Sequence, residues 1–416
     1  MKKKNIPFSG IIIAIVYLTS CSKGTVNQAP KTSVLNTSSN HALASLTGIG
    51  TSPNIYNLND TRDLVTPIDF YSTGHASQLI CYRPGASAFW IMQNNGIKTN
   101  LQFTATIHSS SGIGTGSSNY TLNDNRDKVF AYDLNGTGKL DHIVAYRPGT
   151  GAFWIFEILN PGTSATFQYV LKSSNGVGGY DLSDSRDIIV PFDFYSTGKS
   201  TQLICYRPGT GACWILNNTA AVGQTPTFTP VYQTSNGISG SPTQRYDLSD
   251  NRDLILPFDL ENSGKADGIY CYRPGTGAIW QFDHTATGGF IIKATSSTGI
   301  NAVAGGIYYP ARFDLNSNYD RIIPLDFYDN GITDNVLAYR PGSKVCYIFD
   351  YHGESQFISS AGIGSGIPSH IFDLSSINDK LFSYDCLGTG KLDYVVAYRP
   401  GSGVIDVFDQ GFAWFY

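Results

Sequence analysis

Short apolar runs alternate along this chain with polar breaks rich in Gly, Pro, Asn and Ser, and from about residue 56 onward the alternation repeats. Between 127 and 172 four runs stand out: Asp127 to Asp133, His142 to Arg147, Ala152 to Ile158 and Thr166 to Lys172. Each has the length of a strand and is bounded by turn-forming residues. The link between the second and third, RPGTGA, carries the Pro and Gly of a tight hairpin. The pattern predicts a four-stranded antiparallel meander.

The same pattern occurs six times. The stretch YDLNGTGKLDHIVAYRPGTG, residues 132 to 151, has five counterparts, and the arginines that mark the copies are Arg83, Arg147, Arg207, Arg273, Arg340 and Arg399. An aromatic residue (Tyr56, Tyr120, Tyr180, Tyr246, Phe313, Phe372) lies 27 positions before each arginine without insertion or deletion. Repeats of this length, built of short strands, predict an all-β fold: a six-bladed β-propeller of four-stranded antiparallel blades. HALASLT near the start and GFAWFY at the end both offer themselves to the same blade, so the ring is expected to be closed by N- and C-terminal strands, which protects sheet edges. An open solenoid is the runner-up; it would want distinct polar caps.

The first residues, MKKKNIPFSGIIIAIVYLTSC, have the basic and apolar regions and the small-residue cleavage site of a secretory signal. The apolar run is far shorter than the ~20 residues that span a bilayer. Leu18-Thr19-Ser20-Cys21 resembles the bacterial lipobox, which implies cleavage before Cys21 and lipid attachment to its thiol. Ser22 and Lys23 follow, and the lack of an aspartate there implies the outer membrane or cell surface of a Gram-negative bacterium. The expected organisation is a signal peptide over 1–20, a flexible Ser/Thr/Asn-rich tether over 21–40 and the propeller over 41–416. The membrane is then met through the lipid anchor alone.

Removing residues 1–20 takes three of the 28 basic side chains and none of the 32 acidic ones, leaving a formal charge of −7. The remaining Lys and Arg are spread over the repeats and not clustered, which argues against a nucleic-acid partner.

The six copies resemble FG-GAP/VCBS repeats, in which an acidic, glycine-containing loop precedes an apolar strand and often a YRP turn. The resemblance spans residues 56 to 416 and implies adhesion, glycan binding, scaffolding or attachment to an enzyme. It also implies calcium in the blade loops, which requires several hard oxygen donors on a tight loop. The second copy has a full set: Asp133, Asn135, Thr137, the carbonyl of Lys139, and Asp141. The fourth offers Asp259, Glu261, Ser263 and Asp267; the fifth offers Asp326, Asn330 and Asp334 but has Tyr328 at the third loop position. The first and third copies end in Ser77 and Thr201 where the closing carboxylate should stand, and the sixth has Leu387 at the third position. The competing reading is that the leading Asp and the Gly build the turn.

Asp63, Asp127, Asp187, Asp253, Asp320 and Asp379 each precede an arginine by 20 residues, which predicts a structural Arg–Asp pair within or between blades. The alternative places the arginines in the central channel as anion or glycan contacts. The cysteines of the repeats replace apolar residues and read as buried hydrophobes, with Cys205 and Cys213 the pair to examine for a disulfide. Trp90, Trp154, Trp214 and Trp280 share one position on the third strand, with Tyr347 and Asp406 in the last two copies. They are candidates for blade packing or for sugar-stacking platforms in ligand binding. No histidine position is shared among repeats, and no GxSxG, HExxH or phosphate loop occurs. The reading from sequence is a non-catalytic, surface-anchored binding propeller for a glycan or glycoprotein, stabilised by calcium. The alternatives are a polysaccharide hydrolase or lyase using Glu157, Glu261 or Glu354, and an interaction scaffold.

Overall fold

The computed structural model describes residues 41–96, 100–285, 288–301, 312–350, 355–364 and 371–409. Cys21, the tether, Glu354 and GFAWFY lie outside the described residues. Six four-stranded antiparallel sheets form the blades of a propeller ring. In the second blade the strands are Lys128–Tyr132, His142–Arg147, Ala152–Leu159 and Thr166–Ser173, within a residue of the predicted runs. Among the described residues no helix is long and apolar enough to cross a membrane.

Each strand's burial follows from its place in the blade. First strands of neighbouring blades lie against one another and line the central channel. Four of them contain a proline (Pro67, Pro191, Pro257, Pro324), tolerated because an innermost strand has one edge without a ladder partner. Second strands such as Gln202–Arg207 are buried on both faces, because a blade is covered by a neighbour on each side. In all six blades the third and fourth strands slip register at one point, as between Ile155 and Phe156, and such a bulge increases the twist a blade needs. Six apolar clusters fill the wedges between adjacent blades; the wedge between the sixth and first holds Tyr398, Ile405 and Val407 together with Val65, Leu79 and Cys81.

A repeated hydrogen bond joins each blade to the next. The tyrosine before each marker arginine sends its hydroxyl to a backbone N–H on the first strand of the following blade: Val129 to Tyr82 (3.1 Å), Ile189 to Tyr146 (3.1 Å), Ile255 to Tyr206 (3.2 Å). The series continues with Ile322 to Tyr272 (3.4 Å), Leu381 to Tyr339 (3.1 Å) and, across the closure, Val65 to Tyr398 (3.2 Å). In every case the N–H donates, so the edge of the innermost strand is satisfied where its own ladder leaves it bare.

The ring closes through the N-terminal strand. His41–Ser45 pairs antiparallel with Val404–Asp409 and is the outer strand of the sixth blade, whose other three strands come from the C-terminal end. HALAS thus supplies the N-terminal strand expected at the closure. The cysteines are likewise settled by position: Cys205 pairs in register with Trp214 and Cys213 with Tyr206, and the two thiols enter different wedges. They are free and buried, as are Cys81, Cys271, Cys346 and Cys386, so the disulfide considered for Cys205 and Cys213 is not formed. Adjacent residues on facing strands of one sheet point to opposite sides.

A chain beginning at residue 46 lacks the closing strand and bares the edge of Val404–Asp409. Its melting temperature is expected to fall by roughly 5–10 °C, read by calorimetry or circular dichroism. Unchanged melting would remove the strand from any role in closure.

Candidate functional site

At one end of the ring, every repeat holds a buried aspartate fixed by its arginine. Asp127 accepts from Arg147 Nε (2.8 Å) and Nη2 (3.0 Å), from the Tyr120 hydroxyl (2.8 Å) and from the Asp124 N–H (3.0 Å). The bidentate pair is present in all six repeats, at Asp63, Asp127, Asp187, Asp253, Asp320 and Asp379. The guanidinium also lies over the aromatic residue 27 positions earlier, with centroid distances from 5.3 to 5.9 Å. In the last two repeats that aromatic is Phe313 or Phe372, which has no hydroxyl to give; in all six the arginine's Nη2 makes a further bond, to Asn57, Asn123, Asp181, Asp247, Asp314 or Asp373. The 20-residue interval thus marks a pair within one repeat, and it uses these arginines structurally.

The acidic loops lie at the other end, where each first strand finishes. The leading aspartate accepts two consecutive backbone N–H groups in every copy: Asp133 takes Thr137 (2.9 Å) and Gly138 (2.7 Å), and Asp69, which heads a loop with no closing acid, takes Thr73 (2.8 Å) and Gly74 (2.6 Å). Three residues after it the backbone turns left-handed, at Ser72, Gly136, Ser196, Asn262, Asp329 and Gly388. Only small or Asx residues stand there.

The closing carboxylate does not return to its own loop. Asp141 accepts from the Ser72 hydroxyl of the preceding blade (2.7 Å) and pairs with His142 Nδ1 (2.8 Å). Asp69 and Asp326 each donate their N–H to a carbonyl of the following blade, Leu140 and Leu392 (3.0 Å each), so successive loops overlap like shingles. In the fourth copy Glu261 is drawn to Lys293 (2.5 Å), Asp259 accepts from Ser263 and Gly264, and Asp267 bonds Ser196 of the third blade. In the fifth, Asp326 binds the N–H groups of Asn330 and Gly331, and Asn330 turns back to Ile332. In the second and fourth copies the closing acids are thus engaged outside their own loops, while the Thr137 and Ser263 hydroxyls stay on Asp133 and Asp259. Among the described residues no group of three His, Cys, Asp or Glu is gathered as a metal site. The leading aspartate serves the turn in every copy, with or without a closing acid.

Two closing acids lack such partners. Asp334 (2% exposed) and Asp393 (7%) each bury one carboxylate oxygen without a hydrogen bond. Burial, reinforced by Asp326, Asp259 and Asp350, pushes Asp334 up to about 6. Burial together with Asp329, Asp326 and Asp385 pushes Asp393 up to about 7. Lys391 reaches back only to Asp329 (2.8 Å).

The third-strand tryptophans are half-buried. Trp90, Trp154, Trp214 and Trp280 stand edge-on to Tyr56, Tyr120, Tyr180 and Tyr246, with centroids 5.6 to 6.1 Å apart. Those tyrosines hold the buried aspartates, so the indoles buttress the Arg–Asp network. His108 covers the ring of Trp90 at 4.0 Å, and Lys172 Nζ sits 4.1 Å above that of Trp154. Two hollows that share Thr115, Thr166 and Phe167 adjoin here: one of about 320 Å³ between the outer strands of the first and second blades, and one of about 330 Å³ between the link into the second blade and its outer strand. Thr106, His108, Thr115, Thr166, Gln168 and Tyr169 line them. Sequence reading stopped at the tryptophans and missed this groove, because its residues come from fourth strands, where the repeats diverge. Glu157 is exposed on the third strand of the second blade.

No protein-family model and no curated protein matches the chain. Among solved structures it is similar to Saccharomyces cerevisiae Sqt1 (TM-score 0.40, 10% identity, 80% of this chain and 81% of that one). It is also similar to the β-propeller domain of Myceliophteria thermophila Cps50 (Swd1) (0.37, 9%, 80% and 79%) and to the periplasmic gluconolactonase PpgL of Pseudomonas aeruginosa (0.35, 9%, 68% and 66%). None of these likenesses carries an activity or partner to this chain.

The raised carboxyls give a pH signature. Between the ordinary aspartate value near 4 and the folded values of about 6 and 7, the folded state binds more protons than the unfolded one, so stability falls as pH rises through that window. In chelator-treated protein, Asp393→Asn is expected to raise the melting temperature at pH 7.5 by several degrees and to change it little at pH 4. A melting profile identical to that of the parent at both pH values would refute the shift.

Proposed function

We propose that this chain is a binding propeller that recognises a glycan or glycosylated partner at the groove between its first and second blades. The observation that carries the reading is the lining of that groove. Hydroxyl and amide side chains (Thr106, Thr115, Thr166, Gln168) line it together with His108, which packs on Trp90, and Tyr169, which packs on Trp154. Sugars present hydroxyls around the ring edge and an apolar C–H face, so they are met by this pairing of hydrogen-bonding groups with aromatic surface. Tyr169 is 37% exposed and His108 is exposed, which leaves them free to meet a ligand where the indoles are covered. Attachment to the outer membrane through a lipidated Cys21 belongs to the same proposal, since a tethered binder gains from repeated weak contacts.

Glycan-array screening of residues 41–416, followed by calorimetry on the best ligand, tests the site. Tyr169→Ala is expected to weaken binding about tenfold, which corresponds to about 1.4 kcal/mol, while melting stays within a few degrees of the parent. Binding that survives both Tyr169→Ala and His108→Ala would remove the groove from recognition, and release of shortened chains from a bound polysaccharide would turn the binder into an enzyme.

For the anchor, Cys21→Ala should move the protein from the membrane fraction to the soluble one. Retention of the variant on membranes after a high-salt wash would overturn lipid attachment.

A further inference from the structure

The six repeats are not equivalent at the end of the central channel where the first strands begin. In repeats one to four the turn entering the blade carries its own neutralised pair: Arg62–Asp60, Arg126–Asp124, Arg186–Asp184 and Arg252–Asp250, each 2.6 to 2.7 Å. Repeats five and six have lost it. Ser317 and Tyr319 stand in one, Ser376 and Asn378 in the other, and Tyr319 (47%) and the neighbouring Ile377 (56%) are exposed. A pocket of about 230 Å³ opens there.

The first residue of the first strand breaks symmetry as well. It is apolar in three repeats (Leu64, Ile188, Leu254) and cationic in three (Lys128, Arg321, Lys380). Arg321 and Lys380 line the pocket. Arg321 spends one terminal nitrogen on the carbonyls of Asn318 (3.1 Å) and Asp320 (2.7 Å). Among the described residues none of the three cations forms an ion pair with a carboxylate. The acids beside them in sequence, Asp127, Asp320 and Asp379, the last of which also lines the pocket, are each held by two nitrogens of their own arginine, Arg147, Arg340 and Arg399. Burial lowers the pKa of Lys380, and the charges of Lys128 and Arg321 lower it further, so the three fields overlap. Tyr339 and Tyr398 also line the pocket; each hydroxyl accepts one backbone N–H and keeps its own proton to donate.

We propose that this end of the channel, between the fifth and sixth blades, binds an oxyanion, a phosphate or carboxylate group, through Arg321 and Lys380, with Lys128 adding charge from the second blade. Three unneutralised cations held near one another favour any anion that enters, and the two tyrosine hydroxyls supply directional donors around it. The exposed Tyr319 and Ile377 at the rim suit a ligand whose anionic group is carried on a less polar body, such as a sugar acid. The site is separate from the outer groove, and its success or failure leaves the glycan reading there untouched.

Inorganic phosphate and glucuronate are the probes, each titrated into residues 41–416 at fixed ionic strength against chloride, with melting temperature and calorimetry as readouts. The parent should be stabilised by at least one of them. A response to phosphate alone identifies a free oxyanion, and a stronger response to glucuronate identifies a sugar acid. Lys380→Gln should weaken the effect tenfold or more and raise the melting temperature in chloride by relieving repulsion; Lys380→Arg, which keeps the charge, should retain the response. Lys265→Gln, on an acidic loop at the other end, should leave it unchanged. No stabilisation of the parent by either anion, or an equal response in Lys380→Gln, would overturn the site.

Discussion

A buried aspartate with every acceptor position filled is the constraint around which each repeat is built. Asp63, Asp127, Asp187 and Asp253 are almost wholly removed from solvent, and each is held by an arginine fork, a tyrosine hydroxyl and a backbone N–H. A charge in that position is tolerable only when fully bonded, and loss of one partner from such a pair costs about 3–5 kcal/mol. The arginine is at the end of the second strand, the tyrosine in the link from the previous blade and the aspartate just before the first strand. One carboxylate thereby fixes three segments of chain, which explains why no insertion is accommodated between aromatic and arginine.

The tyrosine latch extends that order around the ring. Its residue directly precedes the arginine, so the side chain that follows it in sequence is anchored within the blade while its own hydroxyl reaches the next blade's innermost strand. Adjacent residues of a strand point to opposite faces, and the YR pair uses both. With every blade bonded in the same way, departures from the pattern become informative. The lost acid–arginine turns of repeats five and six, and the cations that open three first strands, break the symmetry of the scaffold at one end of the channel.

The loops teach a different lesson. An acidic ligand pattern written in one segment suggested a cage closed on itself, yet the closing carboxylate at Asp141 turns to Ser72 of the preceding blade. Spacing along the chain measures reach within a loop; it does not register that the neighbouring loop lies nearer. The same holds for the indoles, whose shared position was visible but whose covering by His108 and Lys172 depends on fourth strands of variable length and composition.

What the sequence determined by itself was everything governed by local period and fixed interval: strands, hairpins, six repeats and the Arg–Asp pair, because strand geometry and a rigid register leave few ways to place them. What tertiary structure decided was whatever lies between blades. It separated Cys205 from Cys213, tied acidic loops to their neighbours, left Asp334 and Asp393 short of partners, and gathered Lys128, Arg321 and Lys380 from three repeats at one end of the channel. The physical reason is closure: bending the repeats into a ring brings together residues hundreds of positions apart, and no interval along the chain encodes those contacts.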